Sequence, residues 1–188
     1  EEAKKFNKDV DINIAVDTGM SRIGYIPCEA AVKEVSEIAK LSNIHIKSIF
    51  THFAKADYKD KTFAEKQFHE FKEFISQLEE VGVHIPIHQC ANSAAMMEMK
   101  ETSMNLARAG ISMYGLYPSE EMDHEAMKLE QAMSIYSHVV HVKEIKAGRG
   151  ISYGQTFIAE KNMKIATIPI GYGDGYPRNL SNKGYVLI

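Results

Sequence analysis

The sequence lacks the features that define several large classes of protein. It has only two cysteines, Cys28 and Cys90, too far apart to form a metal or redox motif, and we expect both to be reduced. Lys and Arg total 22 against 25 Asp and Glu, so the net charge of −3 provides no basic excess for nucleic acid or an anionic membrane. No apolar run reaches the roughly 20 residues of a transmembrane helix. The polar opening EEAKKFNKDV is unlike a signal peptide, which favours a cytoplasmic location.

Nucleotide-binding and metal-binding motifs are also missing. Neither GxGxxG nor GxxxxGK[ST] occurs, so no glycine-rich loop for a dinucleotide or a nucleoside triphosphate is predicted. His84 and His88 are four residues apart, but Pro86 lies between them and no further ligand follows at a suitable spacing. We therefore expect no metal site. What remains, with 45% hydrophobic and 25% charged residues, is an ordinary folded protein.

The first two thirds of the chain alternate between strand and helix patterns. The predicted strands are 11–17, 44–51, 83–90, 105–107 and 112–116, and the predicted helices are 27–40, 61–81 and 93–99, the last capped by Asn92. The buried side of the long helix is expected to consist of Phe63, Phe68, Phe71, Phe74, Ile75 and Leu78. Such alternation predicts a parallel α/β sheet.

The strand count predicts about half of a closed barrel. An eight-stranded βα barrel needs about 250 residues, whereas the alternating region supplies about four strand–helix steps. From residue 128 on, four strand patterns (132–145, 151–159, 165–170 and 185–188) are separated by glycine turns. We expect residues 1–127 to be the second half of a (β/α)8 TIM-type barrel and residues 128–188 to begin an all-β domain. The chain would then be an internal fragment of a longer protein.

Polar side chains follow successive predicted strands, where parallel α/β folds place their chemistry. Arg22, His52, Ser93 and Arg108 each come shortly after a strand pattern. Any one of them alone is more often structural, but four in succession indicate a site. Ser93 begins a helix whose free N–H groups suit an anion, and Gly110 would allow close main-chain approach to the same anion.

Six stretches of the sequence resemble those of the alanine racemase family in the same order. They are 16–24 (VDTGMSRIG), 51–57 (THFAKAD), 91–95 (ANSAA), 108–116 (RAGISMYGL), 152–156 (SYGQT) and 170–176 (IGYGDGY). Each is weak alone, but together they span nearly the whole chain. The resemblance implies a homodimeric enzyme that interconverts L- and D-alanine through a pyridoxal 5'-phosphate aldimine, with two-base proton transfer at Cα, and supplies D-alanine for peptidoglycan.

The resemblance also implies a role for each matching residue. Tyr153 would be one of the two catalytic bases and would serve the site of the other subunit. Arg22 and His52 would support the Tyr153 phenolate, and Arg22 would also help to hold the substrate carboxylate and the phenolic oxygen of the cofactor. Tyr172 would lie near the entrance of the site or the substrate. Arg108 would donate to the pyridine nitrogen of the cofactor without giving up its proton, which limits side reactions such as transamination.

The phosphate of the cofactor would be held by Ser93 and by the backbone of Gly110 and Ile111. The sequence departs from the family in three places. The Schiff-base lysine of the family would lie upstream of Glu1, so the fragment alone is expected to be inactive. Ala15 stands where many members have a lysine that can be carbamylated, and Gln89 stands where a histidine is common. Gln89 is expected to support the site, because its neighbour His88 would point to the opposite face of the strand.

Two other readings of the resemblance remain open. A noncatalytic pyridoxal phosphate carrier would match the barrel part but would lack the stretches 152–156 and 170–176. A racemase or decarboxylase of the same fold could act on another amino acid, although Arg108 disfavours a decarboxylase.

Overall fold

Three parallel strands organise the first of two compact units in the computed structural model, which describes every residue of the chain. This unit comprises Glu1–Met133, and the second comprises Ser134–Ile188. The strands pair in the order β1, β2, β3, with β1 at Val10–Ala15, β2 at Ile44–Phe50 and β3 at Ile87–Gln89. Helices α1 to α4 are Glu2–Lys5, Glu29–Ala39, Thr62–Glu80 and Ser93–Glu98. The expected parallel α/β arrangement is confirmed, and the sheet is open.

Alternation along the strands gives the sheet one apolar face and one polar face. Ile14, Ile49 and Cys90 are buried on the apolar face. Helices α2 and α3 pack against each other, and α2 also contacts β2. Each helix contributes a stripe spaced three or four residues apart to this core. The buried stripe residues are Ala31, Val32, Val35, Phe71, Phe74, Ile75 and Leu78.

The first turn of α3 differs from the expected pattern. Phe63 is 37% exposed rather than buried, whereas Gln67 is completely buried one turn further on. Phe63 lies over the turn that follows β1, since a Cβ added to Gly19 would be 2.9 Å from its ring. The helix therefore begins beside a loop instead of the sheet, and the buried stripe starts with Ala64 and Gln67.

The strand expected at 105–107 is absent because a side chain takes the place of the backbone ladder. Asn105 Oδ1 accepts a hydrogen bond from the His88 N–H at 2.7 Å, and Asn105 Nδ2 donates to the Pro86 carbonyl at 2.8 Å. The backbone returns to the sheet where the Arg108 N–H donates to the Ala91 carbonyl. Residue Pro86 has no N–H, and β3 is correspondingly shorter than the predicted 83–90.

The strand expected at 112–116 is a 3-10 turn at Ile111–Tyr114. The N–H of Met113 donates to the Gly110 carbonyl, and the chain leaves the turn through Gly115 with a φ of 76°. Glycine adopts a positive φ without steric cost, so Gly115 is suited to end the turn.

The second unit contains two short antiparallel pairs. Strand β4 at His141–Ile145 pairs with β7 at Met163–Thr167, and β5 at Gly150–Ile151 pairs with β6 at Phe157–Ile158. The strands are shorter than the sequence predicted, since 3-10 turns and loops interrupt the apolar runs. Residues 185–188 form no strand, and their side chains are more than half exposed.

Two further expectations concern reactivity and membranes. Both cysteines are free; Cys28 is exposed, whereas burial raises the pKa of the Cys90 thiol to about 12. None of the helices combines the length and the apolar character needed to cross a membrane.

Paired substitutions on α3 test this core. Phe71→Ala removes a fully buried ring and is expected to lower the free energy of unfolding by about 3–5 kcal/mol. Phe63→Ala makes the same change at a partly exposed position and is expected to cost about 1 kcal/mol or less. Urea unfolding of the full-length protein measures both, and equal losses would contradict the described packing.

Candidate active site

A structured loop holds Arg22 beyond the carboxyl end of β1. Asp17 Oδ1 accepts hydrogen bonds from the N–H groups of Gly19 at 3.0 Å and Ser21 at 2.9 Å. The Ser21 bond, followed by the Gly19 bond, lowers the pKa of the Asp17 carboxyl. The loop then returns beside β1 at Gly24, where a Cβ would be 2.8 Å from the carbonyl carbon of Ala15. Glycine at this position lets the backbones touch, which fixes the loop that carries Arg22.

A buried polar cluster links this loop to the end of β2. The hydroxyls of Thr18 and Thr51 lie 2.8 Å apart. Gln67 Nε2 donates to Thr18 Oγ1 at 3.3 Å and to the His52 carbonyl at 3.1 Å. Its Oε1 accepts from the Ala54 N–H at 2.9 Å. One buried amide thus fixes the backbone on both sides of Phe53, directly after His52.

The guanidinium of Arg108 is held at the carboxyl ends of β2 and β3. Nη1 donates to Gln89 Oε1 at 2.9 Å, and Nη2 donates to the Thr51 carbonyl at 2.7 Å. Nη2 also lies 3.4 Å from Nδ1 of His52. The ring of Phe50 lies beneath the guanidinium, with its centroid 5.3 Å from Cζ. These contacts leave other N–H groups of Arg108 available to a ligand.

Arg108 is one end of a hydrogen-bonded chain across the polar face of the sheet. Gln89 Nε2 donates to Ser48 Oγ at 3.0 Å, and Ser48 Oγ donates to Asn13 Oδ1 at 2.7 Å. The strand register places Asn13 beside Ser48. This order of donors and acceptors directs Gln89 Oε1 toward Arg108. His88 lies on the other face of β3, where its buried Nε2 has no hydrogen-bond partner.

His52 lies in an environment that disfavours its charged form. Burial is the largest cause that lowers the pKa of His52, and the positive charges of Arg108 and Arg22 lower it further. The neutral imidazole therefore prevails at pH 7. Its Nδ1 can then accept a hydrogen bond from Arg108.

A second cluster gathers donors around Ser93 at the start of α4. Ser93 Oγ accepts from the Gly110 N–H at 2.8 Å, and from the Ser112 N–H at 3.3 Å. The Ser112 hydroxyl donates to the same oxygen at 3.1 Å. A Cβ at Gly110 would lie 3.3 Å from Ser93 Oγ, so a larger residue would crowd the cluster. Asn92 caps the helix by accepting from the Ala95 N–H at 3.1 Å, as predicted.

The remaining predicted site residues lie in the second unit. Tyr153 begins the turn between β5 and β6 and is 87% exposed. Tyr172 lies in another 3-10 turn, and the two tyrosines line one open depression. Arg178 lies over the Tyr172 ring, with Cζ 5.7 Å from the centroid.

Several residues that support these clusters were not predicted from the sequence. They are Asn13, Ser48, Gln67 and Ser112. A polar residue within the apolar stripe of α3 was the available signal for Gln67. Ile111, predicted to hold an anion through its backbone, opens the turn next to Ser93 and is 43% exposed.

Comparison with known proteins identifies the family. The sequence models that match are "Alanine racemase, N-terminal domain" over residues 1–118 and "Alanine racemase, C-terminal domain" over residues 132–188. The chain belongs to the alanine racemase family. The alanine racemase of Methanococcus maripaludis is 48% identical over 186 residues, which cover 99% of this chain and 50% of that protein.

Solved alanine racemase structures share this fold. The enzyme of Clostridium difficile 630 matches with a TM-score of 0.83 and 39% identity over 94% of this chain and 46% of its own. A complex of that enzyme with cycloserine matches with a TM-score of 0.80, at 36% identity over 94% and 45%. The chain therefore spans about half the length of these relatives. The expected fold class, half of a TIM-type barrel followed by the start of a β domain, is confirmed.

The link between Arg108 and His52 can be tested by titration. Arg108→Gln removes a nearby positive charge and is expected to raise the pKa of His52 toward its ordinary value of 6.5. Because burial is the larger cause, the shift should be partial. NMR of the histidine ring protons measures it, with Lys40→Gln as a control on the exposed end of α2.

The sign of the effect on stability follows from the lowered pKa. His52 contributes stability above the unfolded pKa near 6.5, and this contribution is lost as the pH falls through the folded pKa. Arg108→Gln should narrow the pH interval between the folded and the unfolded pKa of His52. An unchanged or lower pKa of His52 in the variant would contradict the proposed electrostatics.

Proposed function

We propose that the full-length protein containing this sequence interconverts L- and D-alanine with pyridoxal 5'-phosphate as cofactor. Membership of the alanine racemase family supports this reading, as does the related C. difficile structure in complex with cycloserine. The observation that carries it is the fixed guanidinium of Arg108 beside the Ser93 cluster, with donors suited to a ring nitrogen and to a phosphate.

The residues present fit the cofactor. The donors that converge on Ser93 Oγ, and the space left by Gly110, suit a phosphate oxygen; the backbone N–H groups of Gly110 and Ile111 would share it. Arg108 would donate to the pyridine nitrogen and, as a guanidinium, would keep its own proton. When bound, the cofactor supplies an electron sink for charge at Cα. Arginine at this nitrogen would moderate that sink.

Substrate contacts are assigned to the loops after β1 and β2. Arg22 would bind the substrate carboxylate through its positive charge, and it lies near His52, whose pKa it helps to lower. His52 would orient the neighbouring groups through its neutral ring. Gln89 would keep Arg108 in place by accepting a hydrogen bond from its guanidinium.

Tyr153 is proposed as the base on one face of Cα. We propose a homodimer because the chain belongs to the alanine racemase family, in which this tyrosine is expected to serve the site of the other subunit; its 87% exposure leaves it accessible for that role. Tyr172 would lie at the entrance of the same site. A phenol normally titrates near 10, so Tyr153 needs positive charge nearby to act as a base.

A racemase is favoured over a noncatalytic carrier of the same cofactor. The match to the C-terminal domain model over residues 132–188 supports this choice, because a carrier needs only the barrel. We further propose that the enzyme works in the cytoplasm and that its D-alanine serves peptidoglycan synthesis.

Tyr153→Phe in the full-length protein tests the two-base assignment. Proton exchange at Cα should fall by about 10²–10⁴-fold for one enantiomer and persist for the other, because the opposite base remains. Deuterium incorporation followed by NMR measures both. Tyr185→Phe, at a similarly exposed tyrosine, is the control. Unchanged exchange for both enantiomers would remove Tyr153 from the mechanism.

The 188-residue chain on its own is expected to be inactive. The roles assigned to its residues include one base and no lysine that binds the cofactor covalently. After incubation with pyridoxal phosphate and borohydride, peptide mapping should therefore find no stoichiometric label at a single lysine. Stoichiometric label at one site would overturn this expectation.

A further inference from the structure

Ser93 Oγ receives more donors than a typical serine hydroxyl. The Gly110 N–H, the Ser112 N–H and the Ser112 hydroxyl all donate to it, at 2.8, 3.3 and 3.1 Å. A hydroxyl has two acceptor lone pairs and one proton to donate. The N–H and the hydroxyl of Ser112 are enough to fill the two lone pairs even when the Gly110 N–H turns to a phosphate, so the remaining capacity of Ser93 is its own O–H.

The direction of the Ser112 bond decides what Ser93 can do for a ligand. If Ser93 donated to Ser112, its proton would be used within the protein. Because Ser112 is the donor, the Ser93 proton is left for another acceptor. Hydrogen bonds in series also polarise one another, which makes the Ser93 hydroxyl a stronger donor. A phosphate dianion is the kind of acceptor that gains most from such a donor.

We propose that Ser112 is a positioning residue for the phosphate of the cofactor. It acts through Ser93: its hydroxyl fills the acceptor side of Ser93 Oγ and directs the Ser93 proton to a phosphate oxygen. This inference rests on the proposed function and adds to it a residue that contacts Ser93 instead of the reacting atoms. The turn at Ile111–Tyr114 brings Ser112 to Ser93.

The test compares two ligands that differ only in the phosphate. Dissociation constants of pyridoxal 5'-phosphate and of pyridoxal are measured by absorbance titration of the cofactor-free full-length protein. Ser112→Ala is expected to weaken pyridoxal phosphate roughly two- to tenfold, the range for one hydrogen bond, and to leave pyridoxal unchanged. Ser112→Thr keeps the hydroxyl and should restore the affinity.

A double substitution separates action through Ser93 from direct contact. Adding Ser112→Ala to Ser93→Ala should cause little further loss if Ser112 works through Ser93. Ser119→Ala removes a hydroxyl that bonds the Asp57 carbonyl elsewhere in the same unit and is the control. The ³¹P chemical shift of bound pyridoxal phosphate provides a readout independent of activity and should move in Ser112→Ala.

The outcomes distinguish this inference from the proposed function. If the unaltered protein binds neither ligand, the proposed function fails. If it binds pyridoxal phosphate but Ser112→Ala leaves the ratio of the two affinities unchanged, the role of Ser112 is overturned. Equal weakening of both ligands would indicate a structural role for Ser112 and would overturn it as well.

Discussion

The loops at the carboxyl edge of the sheet depend on the buried amide of Gln67. It joins α3 to the ends of β1 and β2 through Thr18, the His52 carbonyl and the Ala54 N–H. A parallel sheet leaves loops at its carboxyl edge, and their backbone groups must find partners when buried. An amide serves here because it donates and accepts at once without charge. Replacing it with an apolar side chain would take this partner from the His52 carbonyl and the Ala54 N–H, while Thr18 would keep its bond to Thr51.

The two faces of the sheet divide stability from chemistry. On one face, apolar residues of the strands meet α2 and α3 and form the core. On the other, the chain from Asn13 through Ser48 and Gln89 ends at Arg108. Side chains on strands have fewer conformations than those on loops, so a guanidinium anchored to them is held in a narrow range of positions. The register of the strands therefore determines where the Arg108 guanidinium lies.

The sequence predicted the elements of the first unit better than their contacts. Regular spacing identified α2, α3 and the strands β1 and β2, because burial of one face imposes it. The motif residues Arg108, His52 and Gln89 were expected at one edge, and the structure brings them together. Gln67 was not predicted to be buried, because a polar side chain on an amphipathic helix is expected to face solvent.

The errors arose where hydrogen bonds across the chain decide the conformation. Residues 105–107 have strand character, but the amide of Asn105 occupies the edge they would have used. Residues 112–116 (SMYGL) are largely apolar, yet the turn between Gly110 and Gly115 prevails. Ser48 and Ser112 carry no signal in a single sequence, since a serine in a strand or turn is ordinary until its partners are known.

The Asn105 side chain affects whether a foreign strand can pair with the edge of β3. An open strand edge offers unpaired N–H and carbonyl groups on which a foreign strand can assemble. Asn105 already occupies the His88 N–H of β3 and the carbonyl of Pro86, directly before the strand. An intruding strand would first have to displace this amide, which makes this edge of β3 a poorer template for pairing.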